Sequence, residues 1–133
     1  MKILRYYLSE SETTRRNEKI DKVEKIAIYK IKSQNTALEY RLYIENLKKQ
    51  EDIYFSVHYI IDSYGNVLNI IPEKEISVHD ENNIQINYTA ISILVLEGKD
   101  DKVSYNNTAE LISKITKKYN LNIAKDIMNK ESV

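Results

Sequence analysis

The alternation of hydrophobic and polar positions predicts a sheet whose inner strands are covered on both sides. The segments KIAIYKIK (25–32) and AISILVLEG (90–98) are apolar on both faces, which is typical of buried central strands. Two further runs, at 53–62 and 67–71, are rich in β-branched and aromatic residues and flank the turn sequence SYGN. They predict a hairpin that ends at Pro72.

Two segments carry the spacing of helices that pack on a sheet. Thr36 and Glu39 form a capping box, in which each side chain satisfies a free backbone N–H, and the helix that they open is predicted to run over 36–49. A second helix is predicted over 104–118. The apolar stripes of the two helices are Ala37, Tyr40, Ile44 and Leu47 in the first, and Leu111, Ile112, Ile115 and Tyr119 in the second.

The remaining segments are mostly polar. Residues 1–23 are predicted to be irregular, apart from a short strand at 3–8, and SESETTRRNEK within them reads as a solvated loop. Residues 119–133 are predicted to hold at most a short element. The order β-α-β-β-β-α predicts an α/β fold, a single domain over 1–133 with a central mixed β-sheet flanked by helices. We expect residues 25–31 at the middle of that sheet, with the two helices on opposite or adjacent faces.

The composition disfavours or excludes several classes of function. The 20 basic and 20 acidic residues cancel, which disfavours nucleic-acid binding and polybasic membrane binding. The absence of Cys excludes disulfides, thiolate metal sites and a Cys nucleophile. The longest apolar run, 93–96, is far shorter than the ~20 residues of a membrane-spanning helix. With no secretory signal at the N-terminus, we expect a cytoplasmic protein that is released, if at all, with lysis.

Three stretches in a fixed order carry a resemblance to a known family. The segment SVHYIIDSYGNVLNIIPEKEISVH (56–79) resembles the motif S-A-H-Y-I-I-D-x-x-G-x-V-x-x-x-I-P-E-x-E-x-A-x-H of the zinc N-acetylmuramoyl-L-alanine amidases, which are relatives of the peptidoglycan recognition proteins. Residues 25–47 are similar to the first core strand and helix start of that family, and residues 105–127 to its last helix and the approach to its final metal-binding loop. The abundance of residues with A/T-rich codons indicates a low-GC bacterial or phage source.

The resemblance implies a particular chemistry for the family. Zinc held by two His and a Cys or Asp activates a water molecule and polarises the amide between the lactyl group of muramic acid and L-alanine. A Glu in a strand of the form S/T-I-G-I-E commonly carries the proton.

Carried over position by position, the resemblance implies that these groups are missing here. Tyr29 stands at the first His, Leu94 at the Glu, Lys130 at the second His and Ser132 at the following Asp. The third ligand would lie beyond Val133, so the C-terminus is expected to be truncated relative to the family. A phenol is mostly protonated at neutral pH, Leu has no donor atom, and an ammonium has no lone pair. We therefore expect a degenerate member without zinc or any other cofactor.

The two histidines are the remaining candidate site residues. The resemblance implies that His58 and His79 lie beside the substrate groove and do not bind the zinc. They either contact a bound peptide or sugar or are structural residues bonded within the fold. A relocated metal site that uses both, with Asp80 or Glu81, would have enough ligands, although nothing in the spacing demands it. The 11 tyrosines leave open a tyrosine-lined binding surface, with packing at the edge of the core as the alternative.

These observations favour a catalytically inactive amidase-like protein, a pseudoenzyme that serves as a binding module. The expected partners are peptidoglycan fragments or a protein linked to cell-wall, lysis, toxin-release or phage-derived functions, and an oligomer is allowed. The alternatives are a weak amidase or cell-wall hydrolase with a rebuilt site, and an endolysin remnant without present function. Nucleic acid and membrane insertion are not expected.

Overall fold

The computed structural model describes residues 1–50 and 52–130 and contains one sheet. Its strands within those residues are β1 Ile3–Arg5, β2 Lys25–Lys32, β3 Tyr59–Ile61, β4 Val67–Asn69, β5 Ala90–Glu97 and β6 Ile127–Lys130. They lie in the order β1-β4-β3-β5-β2-β6. Neighbouring strands run parallel except in the β3–β4 hairpin, so the sheet is mixed.

Both predicted helices are present, and a short third helix lies between them in the chain. Helix α1 spans Ala37–Asn46 and continues as a 3₁₀ turn over Leu47–Lys49; the short α2 spans Ile84–Asn87, and α3 spans Lys102–Tyr119. The capping box is present, because the Thr36 hydroxyl accepts the Glu39 N–H at 3.1 Å and the Glu39 carboxylate accepts the Thr36 N–H at 2.9 Å. Among the described residues no helix is long and apolar enough to cross a membrane.

The two long strands β2 and β5 separate two apolar layers. Side chains on one face pack with α1 and side chains on the other pack with α3, because successive residues of a strand point to opposite faces. The α1 layer contains Ala27, Tyr29, Leu94 and Leu96, and the α3 layer contains Ile26, Ile28, Ile91, Ile93 and Val95. The predicted mixed α/β sheet flanked by helices is confirmed, and its two main helices lie on opposite faces.

Two sequence expectations about the sheet need correction. Residues 25–31 are interior but not central, because β3 and β5 occupy the middle and only β6 lies outside β2. The run predicted as a strand over 53–62 forms one only at Tyr59–Ile61. Before that point the N–H groups of Phe55, Ser56 and His58 bond to three different segments, so no single ladder forms.

The polar N-terminal segment is better packed than its composition indicates. It is mostly irregular, as expected, with the predicted strand limited to Ile3–Arg5, but Thr13 and Thr14 are buried. Arg15 donates two hydrogen bonds to the Glu75 carboxylate, at 2.9 and 3.0 Å. The interpretation of SESETTRRNEK as a solvated loop therefore holds for its exposed residues but not for Thr13 and Thr14.

Candidate functional site

The sheet register places in one row three of the four residues that the resemblance assigns to the ligand and proton-carrier positions of the family. Tyr29 is the Cα partner of Leu94 on β5 and of Lys130 on β6. Partners on adjacent strands share a face, so all three side chains lie on the side of the sheet that α1 covers. Ser132 lies outside the described residues.

A cavity of about 360 Å³ is lined by all three residues of this row. Its aromatic wall consists of Tyr29, Tyr40, Tyr43, Tyr54 and Phe55. Its polar wall consists of Asp80, Glu81, Asn82 and Lys130, and His79 lies between the two. The cavity therefore combines a large aromatic surface with a small number of charges, which is typical of ligand sites.

Tyr29 is bonded to His79 inside this cavity. The phenol oxygen lies 2.6 Å from Nδ1 and 3.1 Å from the carbonyl oxygen of His79, and both side chains are buried. Burial, with a smaller effect of the Asp80 charge, raises the pKa of Tyr29 well above its usual value. Burial also lowers the pKa of His79 to about 3, assisted by His58 and Lys130 and opposed by Asp80 and the Ile86 backbone. At neutral pH this is a pair of neutral rings.

Lys130, which also lines the cavity, is bonded to Asp80. The ammonium nitrogen lies 3.1 Å from Asp80 Oδ2, and the Asp80 side chain is only 10% exposed. The backbone N–H groups of Asn82 and Asn83 donate to Asp80 Oδ1 at 3.0 and 2.8 Å. Burial works to raise the pKa of Asp80, but the hydrogen bonds from Asn83 and Lys130 outweigh it and hold the pKa below its usual value. The carboxylate is therefore charged and fixed at neutral pH.

The side chains at this position do not fit a zinc ion. Within the described residues there is no group of three or more His, Cys, Asp or Glu that could hold a metal. Tyr29 uses its hydroxyl on His79, Leu94 offers no donor atom, and Lys130 adds a positive charge.

His58 is not at the groove, in contrast to its expected place beside His79. It is fully buried; Nδ1 accepts the Ser92 N–H at 3.0 Å, and Nε2 donates to the Glu75 carbonyl at 2.7 Å. Burial lowers the pKa of His58 to about 4, against smaller opposing effects of Glu75 and Glu73. Both ring nitrogens have partners inside the protein, so His58 has no free nitrogen to offer to a metal site shared with His79 and a carboxylate.

Residues 19–132 match the family model described as N-acetylmuramoyl-L-alanine amidase. The chain belongs to this amidase family. No curated protein matches it in sequence.

Solved structures of amidase-family hydrolases share the fold. The catalytic domain of XlyA has a TM-score of 0.81 at 18% identity over 97% of this chain and 84% of that one. A mutant endolysin from Bacillus subtilis has a TM-score of 0.80 at 19% identity over 96% and 82%. Staphylococcus aureus hydrolase AmiA, solved in complex with its ligand, has a TM-score of 0.72 at 17% identity over 97% and 65%. The family resemblance seen in the sequence is confirmed.

Sequence reasoning missed most of the aromatic wall of this amidase-family cavity. Tyr40 and Tyr43 are three residues apart on α1, with ring centroids 5.3 Å apart, a spacing that the helix prediction could have used. Tyr54, at 36% exposure, lies at the edge of the core. The contact of Phe55 with Tyr29, at 6.4 Å, joins segments that no local pattern connects. The Lys130–Asp80 ion pair was missed for the same reason.

Replacing Tyr29 by Phe tests the bond between the two neutral rings. The variant keeps the aromatic packing but leaves His79 Nδ1 without its partner, so we expect a loss of about 1–3 kcal/mol in the free energy of unfolding. Urea unfolding at pH 7 measures it. Tyr43→Phe, at a site that is 52% exposed, is the matched control and should change stability by less than about 0.5 kcal/mol. Equal stability of the two variants would contradict a structural role for the Tyr29–His79 bond.

Proposed function

We propose that this amidase-family member is a pseudoenzyme, a non-catalytic binding module whose degenerate metal position is closed by its own side chains. One observation carries the proposal. In the row Leu94–Tyr29–Lys130, Tyr29 is bonded to His79 and Lys130 is paired with Asp80. The polar groups of Tyr29 and Lys130 are thus each bonded to a neighbouring side chain, and neither is free to act in catalysis.

The proton-transfer role also lacks a carrier. Leu94 cannot exchange a proton, and the nearest acid on the same strand, Glu97, belongs to the opposite face of the sheet and accepts a hydrogen bond from Tyr105. Without an activated water or a general base, the amide of a cell-wall substrate would be bound but not cleaved.

Retention of the cavity supports a binding role. A space of about 360 Å³ with aromatic and charged walls persists where a catalytic pocket would lie. A peptidoglycan fragment is the first candidate ligand, because the chain belongs to a family of N-acetylmuramoyl-L-alanine amidases and one fold relative, AmiA, was solved with its ligand.

A protein partner is the second candidate. Helix α1 exposes Leu38, Leu42 and Tyr43 to solvent at 53%, 58% and 52%, on the side of the helix turned away from the core. Exposed apolar side chains grouped on one surface are typical of interaction sites. This surface adjoins the cavity through Tyr43, so both candidates use the same side of the molecule.

The decisive experiment measures metal, hydrolysis and binding on one preparation. We expect elemental analysis to find less than about 0.1 zinc per chain. We also expect no release of soluble wall fragments from purified peptidoglycan, and retention of the protein on that peptidoglycan. Stoichiometric zinc together with hydrolysis that a chelator abolishes would overturn the proposal and favour the weak amidase. Loss of wall retention alone would favour the protein partner.

A variant series serves as the matched control for the metal measurement. Tyr29→His and Lys130→His each restore one imidazole, and the double variant places two at paired register positions on adjacent strands. We expect zinc binding to be strongest in the double variant, because its two added imidazoles and the neighbouring His79 supply three nitrogen ligands, whereas each single variant has at most two. Zinc binding by the unmodified chain that neither substitution changes would place the metal elsewhere and contradict the closed site.

A further inference from the structure

The walls of the cavity specify the charge of its ligand. We propose that the cavity binds a protonated alkylamine or alkylammonium group, such as the amino end of a peptide side chain, between the aromatic wall and the carboxylates of Asp80 and Glu81. The inference rests on the proposed function, because a cavity that held a zinc ion would repel a second cation.

The aromatic wall is the first reason. Tyr29, Tyr40, Tyr43, Tyr54 and Phe55 come from β2, α1 and the segment before β3 and converge on one space. The face of an aromatic ring carries negative electrostatic potential, so a cation within about 6 Å of the ring centre is attracted to it. Several rings around one small space can surround an alkylammonium group on more than one side.

The rings of this wall are not already used by the chain's own cations. Elsewhere, Arg41 lies over the Tyr6 ring at 3.5 Å and Lys30 over the Tyr105 ring at 5.3 Å. Similar contacts join Arg15 to Tyr7 and Lys118 to Tyr119. Within residues 1–50 and 52–130, no Lys or Arg is placed over a ring of the aromatic wall. No cation of the described chain therefore competes with an external one for this aromatic wall.

The charges of the polar wall are the second reason. Asp80 and Glu81 are opposed by Lys130 alone, and His79 is neutral, so the wall carries one net negative charge. Asp80 holds Lys130 at 3.1 Å, whereas Glu81 has no ion-pair partner within the part of the chain that the structure describes. An entering ammonium would therefore be balanced by Glu81. An anionic group would meet a net repulsion, and a neutral sugar would gain nothing from the charge.

A pair of isosteric probes separates charge from apolar contact. Choline carries a trimethylammonium group, and 3,3-dimethylbutan-1-ol has the same shape with carbon in place of the charged nitrogen. We expect choline to bind about five- to tenfold more tightly in an NMR titration, with the largest shifts at Glu81 and the aromatic wall. Equal affinities would show that the cavity selects only apolar shape, and binding of neither probe would also overturn the inference.

Two variants with matched controls locate the probe. Glu81→Gln and Tyr43→Leu are expected to weaken choline binding by about two- to fivefold each, since one removes the balancing charge and the other a ring. The controls are Glu24→Gln and Tyr64→Leu, at exposed positions that do not line the cavity. Both variants and controls alter exposed side chains, so folding should be preserved. Equal weakening by a variant and its control would place the probe outside the cavity.

Binding of three peptides distinguishes the possible sources of the amine. The first is a peptidoglycan stem peptide with a free side-chain amine, the second is the same peptide acetylated on that amine, and the third is an unrelated short peptide with one lysine. Binding of only the first indicates a cell-wall ligand, and binding of the first and third indicates any lysine side chain. Unchanged binding after acetylation would overturn the inference. None of these outcomes depends on zinc content or hydrolysis, which test the proposed function separately.

Discussion

Replacing Asp62 by Ala is expected to lower the free energy of unfolding by about 2–4 kcal/mol. Asp62 follows β3 and is fully buried. Its Oδ2 accepts the Ala37 N–H at 2.7 Å and the Asn66 side-chain amide at 2.8 Å, while Oδ1 accepts the N–H groups of Tyr64 and Asn66, both at 2.9 Å. One carboxylate thus holds the first turn of α1 and the β3–β4 turn together, and its loss leaves three backbone donors without an acceptor.

Charge and shape can be separated at this position. Asp62→Asn keeps one acceptor oxygen but turns an amide N–H₂ toward existing donors, so about half of the destabilisation is expected. The charge also favours the helix N-terminus, where the dipole is positive. Asp21→Ala, at an exposed site, is the control. Urea unfolding of the three variants at pH 7 measures the effect, and a midpoint for Asp62→Ala close to that of Asp21→Ala would contradict it.

The main elements of the fold could be predicted because local and tertiary preferences agree in them. Strands β2 and β5 are apolar on both faces and are covered on both. The capping box at Thr36 starts α1, whatever packs around it, because its hydrogen bonds are local.

Elements that depend on a distant partner could not be predicted in the same way. Strand β6, with the sequence IMNK, has little strand character of its own and forms by parallel pairing with the outer edge of β2. The buried Thr13 and Thr14 are likewise fixed by contacts far along the chain: the Thr13 hydroxyl donates to the Leu47 carbonyl and the Thr14 carbonyl accepts from Ser56.

The candidate site could likewise be predicted only in part. The family resemblance put Tyr29, Leu94 and Lys130 at equivalent positions, and the strand register brings them into one row. The resemblance could not predict which of His58 and His79 lies at the cavity, because both occur in one motif. What separates them is a neighbour from another strand: Ser92 on β5 bonds to His58, while His79 is left beside the cavity.

Acidification from pH 7 to pH 5 is expected to lower the free energy of unfolding by about 2–4 kcal/mol. The cause is burial, which lowers the pKa of His58 to about 4 and that of His79 to about 3. In the unfolded chain both rings take up a proton near pH 6.5. The unfolded state therefore binds more protons throughout this interval, and stability must fall as the pH falls toward the folded values.

The chosen interval isolates the two histidines. The chain contains 2 His and no Cys, so no other side chain has an ordinary pKa between 5 and 7. Glu73, Asp80 and Glu45 have lowered pKa values in the fold, and their contributions to stability are lost only at lower pH, as carboxylates begin to take up protons. Urea unfolding at pH 7, 6 and 5 therefore reports mainly the two rings.

Two glutamine variants measure how much of the pH dependence of stability comes from each histidine. His58→Gln and His79→Gln cannot take up a proton, so each should be less stable than the parent at pH 7 yet lose only about half as much stability on acidification. The double variant should be nearly insensitive to pH between 7 and 5. A parent protein whose stability is flat over this interval would mean that the rings are protonated in the fold. A charged His79 beside Lys130 is incompatible with the neutral Tyr29–His79 pair on which the proposed pseudoenzyme rests.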